Sequence, residues 1–207
     1  LLRPRGALLV EPAFGEYRPA LLQAGAVVDT HQLDAADGFR LDREALCAAL
    51  RPDTDLVWLA NPLNPSGSGY PRELLLELVN ALPSAVRLVV DEAFIDFAPQ
   101  LSLVDLVTAR SNLIILRSLT KFYAIAGLRI GWLAAAPELV GQLAAGREPW
   151  RLSTPAIAAG LACLTAEAFR QATLQALPLL RNELAVGLTK LDCVVYPSVA
   201  NYLLCRL

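Results

Sequence analysis

The chain has 207 residues, 55% of them apolar and 18% charged, with a formal net charge of −2. That is enough apolar material for a large buried core, and disorder is excluded. With both signs interspersed and no basic excess, nothing in the charge argues for nucleic acid or an anionic membrane surface as partner.

No apolar run has the length of a membrane span, and no signal-peptide pattern is visible at the start. Cys47, Cys163, Cys193 and Cys205 lie far apart and form no CxxC pair. Neither a zinc site nor a disulfide framework is expected, and reduced thiols in a cytoplasmic protein are. His31 is the only histidine, which leaves almost no material for histidine catalysis or metal ligation. Methionine is absent throughout, the chain opens in mid-pattern at Leu1-Leu2-Arg3, and it stops in the apolar run from Tyr202 to Leu207. The expectation is an internal piece of a longer protein.

In chain order, Gly6 to Val10 reads as a short buried strand, ended by Pro12 and Gly15. Tyr17 to Ala24 has helical spacing and stops at Gly25, a suitable C-cap. Ala26 to Thr30 reads as the next strand and Asp34 to Phe39 as a polar loop. Asp42 is placed to N-cap a helix through Leu50. Leu56 to Ala60 is another strand. It runs into Asn61-Pro62-Leu63-Asn64-Pro65-Ser66-Gly67-Ser68-Gly69, a dense cluster of turn formers. Pro71 suits a helix first turn, and Glu73 to Leu82 carries leucines at helical period.

Arg87 to Val90 predicts a fourth strand, ending in Asp91-Glu92, and Ser102 to Ala109 a helix. Asn112 to Leu116 and Arg129 to Ala134 read as strands on either side of a loop that holds Lys121. Pro137 to Ala145 reads as helix. Ser153 or Thr154 can cap a long helix from Pro155 through about Thr173, and Pro178 starts or kinks the next, which runs to about Leu191. Cys193 to Tyr196 and Asn201 to Arg206 look like strands of a different unit.

Strands alternating with helices, the strands being continuous apolar runs, predict an α/β fold: a mostly parallel, doubly wound sheet covered by helices. Residues 1–175 read as one large domain and 176–207 as the start of a small α/β domain. In such sheets ligands gather beyond the carboxyl ends of the strands. The loops at Asn61 to Gly69, Asp91 to Phe97 and Ser118 to Gly127 all follow strands and can meet at one edge.

The chemistry-bearing residues lie in those loops. The chain has two lysines, Lys121 and Lys190, among 18 cationic residues, so arginine supplies nearly all its positive charge. An amine forms a Schiff base with a carbonyl cofactor where a guanidinium cannot. Ser118 and Thr120 precede or flank that amine and Arg129 follows it, a set suited to a phosphate monoester. Together they fit pyridoxal 5'-phosphate (PLP), although an ordinary strand–loop–strand with one solvated lysine has the same spacing. Asp91 ends an apolar strand, where a carboxylate calls for a partner. A protonated pyridine nitrogen at about 4 Å, with an effective dielectric near 20, would contribute roughly 4 kcal/mol. An N-cap or loop aspartate is the plainer alternative. Asn64, between Pro62, Pro65 and Gly67, presents one amide from a stiff turn, suited to a phenolate oxygen. Phe14, after the first strand, can stack on a ring or sit in the core.

Taken together, Asn-Pro-Leu-Asn-Pro-Ser-Gly, Asp-Glu-Ala-Phe-Ile-Asp-Phe, and Ser-Leu-Thr-Lys followed by Gly-Leu-Arg-Ile-Gly resemble fold-type I PLP enzymes of the class I/II aminotransferase superfamily. The likeness extends from Glu11-Pro12-Ala13-Phe14-Gly15 to Ala200-Asn201-Tyr202. Within the superfamily the chain looks most like the threonine-phosphate decarboxylases of cobalamin biosynthesis, with the histidinol-phosphate aminotransferases as near relatives. The resemblance implies that Lys121 carries the cofactor, Asp91 pairs with its pyridine nitrogen and Asn64 bonds its ring oxygen. It implies that Ser118, Thr120 and Arg129 hold the phosphate and that Phe14 stacks on the ring. Phe94 stands where the family more often has tyrosine, so a second bond to the ring oxygen is lost. The implied reaction is decarboxylation of L-threonine O-3-phosphate by a homodimer. A histidinol-phosphate-type aminotransferase and a non-catalytic ligand-sensing module are the alternatives.

Overall fold

The computed structural model describes residues 2–146 and 149–207; Leu1, the first residue of the opening run, lies outside them. The elements are β1 (Gly6–Glu11), α1 (Tyr17–Gln23), β2 (Val27–Gln32), α2 (Arg43–Ala48), β3 (Thr54–Ala60), α3 (Arg72–Ala81) and β4 (Arg87–Asp91). They are followed by β5 (Leu113–Ser118), α4 (Leu119–Phe122), β6 (Gly131–Ala135), α5 (Pro137–Ala145), α6 (Thr154–Leu164), α7 (Glu167–Thr189), β7 (Val194–Val195) and β8 (Cys205–Arg206).

Six strands form one sheet in the order β2-β1-β3-β4-β5-β6. All neighbouring pairs are parallel except β5 and β6, where Ile114 faces Ala135 and Ser118 faces Gly131. Parallel neighbours need crossovers that return over a sheet face, and these are right-handed almost without exception. The helices therefore flank a sheet whose central strands carry apolar side chains on both faces. Leu8, Leu9, Val57, Leu59, Leu88, Val90, Leu113 and Ile115 are all essentially inaccessible to solvent. β2, at the edge, has no buried residue.

Local signals set the ends of several elements. Asp42 caps α2, its carboxylate accepting from the backbone N–H of Glu44 and Ala45 at 2.9 and 3.0 Å, a contact worth about 1 kcal/mol. α1 stops before Gly25, whose φ of +90° suits a residue without a Cβ. At the β5–β6 pair, a Cβ on Gly131 would lie 2.5 Å from the Arg117 carbonyl oxygen, so only glycine permits this approach.

Four sequence expectations need correction. Ser102 to Ala109 is not a helix; only the short 3-10 turn Val104–Leu106 forms there. The reason is a buried acid: Glu92 accepts from Ser102 Oγ and the Leu103 N–H, and Arg72 holds Asp105. These contacts pin the backbone into turns. The long helix from residue 155 ends at Leu164, not near Thr173. Thr165 Oγ1 donates to the Ala162 carbonyl and closes the turn. α7 then runs 23 residues with Pro178 inside it, so that proline does not start a helix. The two terminal strands are also much shorter than the apolar runs suggested, two residues each, paired antiparallel as a separate sheet.

Candidate active site

β1 is flanked by β2 on one side and β3 on the other. The chain therefore leaves β1 in one direction and β3 in the opposite one. Such a reversal opens a crevice at the carboxyl ends of the two strands. Here it holds a small, partly open cavity. Phe14 and Tyr17 line it from beyond β1, Ala60, Pro62 and Asn64 from the end of β3, Asp91, Ala93 and Phe94 from the end of β4, and Lys121 from α4 after β5. Four successive parallel strands thus each deliver side chains to one space.

Asp91 is the last residue of β4. Its Oδ2 accepts from the Tyr17 phenol at 2.5 Å and its Oδ1 from the Ala93 N–H at 2.8 Å. Burial raises the Asp91 pKa above the ordinary carboxylate range, while the Tyr17 bond, the Ala93 N–H and the positive Lys121 pull it down. Tyr17 is itself pushed far upward, first by burial and then by the Asp91 charge, so it stays a protonated donor. Its ring packs edge-on to Phe14 at 5.6 Å and tilted on Trp58 at 5.2 Å.

Lys121 lies on the short α4, one residue after Thr120. Its Nζ stands 5.7 Å from the centroid of the Phe94 ring. Among the described residues the amine has no hydrogen bond or ion pair. Phe94 is held edge-on by Tyr202 at 5.0 Å, and the Tyr202 hydroxyl donates to the Leu63 carbonyl at 3.0 Å. The turn cluster is tied to the same C-terminal segment by the Val199 N–H, which donates to the Gly67 carbonyl at 2.9 Å. Gly67 has a φ of +79°, as a turn glycine should.

The structure brings five of the residues singled out in the sequence to this cavity: Phe14, Asn64, Asp91, Phe94 and Lys121. Ser118, Thr120 and Arg129 are not among its lining residues. Ser118 Oγ caps α4 by accepting from the Thr120 N–H and lies 2.7 Å from Thr120 Oγ1. Arg129 is exposed, with a φ of +50°, and its Nη1 donates to the Ala126 carbonyl. Tyr17 and Tyr202 were missed. Tyr17 opens α1 just after Phe14, and its N–H donates to the Phe14 carbonyl at 3.1 Å, a turn for which Gly15 was the available signal. Tyr202 is brought in only by the tertiary fold.

Comparison with known proteins places the chain. The model of the family "Aminotransferase class I and II" matches residues 2–207. A threonine-phosphate decarboxylase from Salmonella typhimurium is 38% identical over 99% of this chain and 57% of its own length. A histidinol-phosphate aminotransferase from Stenotrophomonas maltophilia is 37% identical over 97% of this chain and 57% of its own. The chain thus spans a little over half the length of these curated relatives. The crystal structure of a histidinol-phosphate aminotransferase from Sinorhizobium meliloti in complex with pyridoxal-5'-phosphate superposes with a TM-score of 0.88 at 26% identity, covering 98% of this chain and 55% of that one. Members of the matched family are PLP-dependent enzymes. On the family match over nearly all of its length, the chain belongs to the aminotransferase class I and II family.

Proposed function

We propose that the chain forms the cofactor-binding part of a PLP-dependent decarboxylase acting on L-threonine O-3-phosphate. One observation carries the cofactor reading: a lysine amine with no hydrogen bond or ion pair among the described residues and a buried acid line the same cavity. The cavity fits the group. Aromatic side chains of Phe14, Tyr17 and Phe94 wall it, the Asn64 amide projects from a rigid turn, and Asp91 sits where burial makes a cationic partner favourable. When bound, PLP supplies a carbonyl for amine chemistry and an electron-poor ring that takes up the electron pair released at a substrate Cα.

In this reading Lys121 would hold the cofactor through its amine and would deliver a proton to the substrate Cα. Asp91 pairs with the ring nitrogen, Asn64 bonds the ring oxygen and Phe14 covers a face. Phe94 packs beside Lys121 without offering a hydroxyl. Ser118, Thr120 and Arg129 hold the cofactor phosphate, a role that needs the Arg129 guanidinium to turn from the Ala126 carbonyl toward the Ser118–Thr120 hydroxyls. Residues 176–207 begin a smaller domain, with Tyr202 reaching back to the site. We further propose a homodimer in the cytoplasm.

The Salmonella relative at 38% identity supports the decarboxylase. The alternative, a histidinol-phosphate-type aminotransferase, draws on relatives at 37% and 38%, so identity does not separate the two. Substrate orientation separates them, because the bond to be broken must stand perpendicular to the ring. The test is carbon dioxide release from O-phospho-L-threonine by the whole protein. Glutamate formation from 2-oxoglutarate with histidinol phosphate as the amino donor, and no carbon dioxide, would overturn the choice.

A further inference from the structure

Next in the chain to the cavity-lining Asp91 begins a second group of charges that no step above uses. Glu92 has a fully buried side chain. Its Oε1 accepts from the Leu103 N–H at 2.8 Å, and its Oε2 accepts from Ser102 Oγ at 2.7 Å and Arg117 Nε at 2.8 Å. The Arg117 side chain is 11% exposed. Its Nη1 donates to Asp96 Oδ1 at 3.0 Å and its Nη2 to Ser102 Oγ at 2.9 Å, while the guanidinium lies 5.4 Å from the Trp132 ring centroid. All three guanidinium nitrogens are therefore engaged.

The location is what matters. Glu92 follows Asp91, and Arg117 precedes Ser118 on the way to Lys121. Successive residues of an extended chain point to opposite sides, so anchoring Glu92 on one side aims Asp91 to the other. The Glu92 N–H donates to the Leu116 carbonyl at 2.8 Å, which carries the β4–β5 ladder one step past Asp91. The ion pair closes that last step. Arg117 also faces Trp132 in the β5–β6 register, so three strand ends and the 95–103 turn meet at one cluster. A buried ion pair is a poor source of stability compared with apolar packing of equal volume, yet its many directed bonds fix geometry.

We propose that Arg117 and Glu92 are positioning residues: their pair fixes the ends of β4 and β5 so that the Asp91 carboxylate and the Lys121 amine face each other across the cavity. This rests on the cofactor reading given above, and the experiment separates the two. The double variant Glu92→Leu/Arg117→Met replaces the pair with apolar groups of similar size. Three readouts are taken on the whole protein: the apoprotein melting temperature, the Asp91 carboxyl titration in the apoprotein by carbon NMR, and PLP affinity by absorbance. The expected result is a melting temperature at or above that of the parent, a displaced Asp91 titration, and PLP affinity weakened at least tenfold. A double variant that titrates and binds like the parent overturns the proposal and leaves the pair a packing element. If the double variant does not fold, Arg117→Lys decides. It keeps the charge but loses the fork, and the proposal requires a displaced Asp91 titration and a several-fold loss of PLP affinity; parental values overturn it. Should the parent itself fail to bind PLP, the cofactor reading falls, and the apoprotein titration still decides the positioning role.

Discussion

Tyr17→Phe isolates one hydrogen bond. The variant keeps the ring, so the contacts with Phe14 at 5.6 Å and Trp58 at 5.2 Å survive. What is lost is the donor 2.5 Å from Asp91 Oδ2. A hydrogen bond to a charged group contributes about 1.5–3 kcal/mol, and one between neutral groups about 0.5–1.5 kcal/mol. The penalty should therefore depend on whether Asp91 is ionised. The folded-state pKa of Asp91 is raised by burial, so its contribution to stability is complete below the unfolded-state value and is lost as pH rises through the folded-state value. The Tyr17 bond opposes that loss, because it favours the charged form. Removing it makes the loss larger. Urea unfolding of the parent and variant apoproteins from pH 4 to pH 8 should give a stability difference near the neutral-bond range at the acid end, about 1 kcal/mol, rising to roughly 2 kcal/mol at the other. The Tyr17 phenol stays protonated throughout, since its own pKa is displaced upward. A difference that is flat with pH, or falls as pH rises, would refute the coupling between Tyr17 and the Asp91 charge.

Other outcomes follow from the same geometry. Asp91→Asn should stabilise the apoprotein at neutral pH, because it removes a buried charge, and should weaken PLP binding by up to about a thousandfold, the equivalent of roughly 4 kcal/mol; thermal melts and absorbance titration check the two halves. Gly67→Ala places a Cβ 2.1 Å from Ser198 Oγ at a φ of +79°, and should cost about 1–3 kcal/mol in denaturant unfolding, with part of it recovered in Gly67→Ala/Ser198→Gly. Asp42→Ala should cost about 1 kcal/mol through the lost cap of α2 and leave PLP affinity unchanged.

The sheet was legible in the sequence because its strands are unbroken apolar runs between turn formers, and Leu56 to Ala60 or Arg87 to Val90 admit little else. The convergence of Asn64, Asp91 and Lys121 was legible for the same reason: each follows a strand, and parallel strands end on one edge. What failed was set by partners far away in sequence. The turns from Ser102 to Ala109 answer to Glu92, a residue whose buried carboxylate captures local donors that a helix would otherwise use. Pro178 suggested a helix start on local grounds, yet α7 begins eleven residues earlier, at Glu167. Tyr202 reaches Phe94 and Leu63 across half the chain or more, which no spacing rule encodes.

Lys121, not Lys190, is the amine that must carry the cofactor. The chain offers two lysines, Lys121 and Lys190. PLP-loaded protein reduced with borohydride, digested and read by mass spectrometry should show the pyridoxyl group on the peptide containing Lys121. A label on Lys190, or none on either, would contradict it.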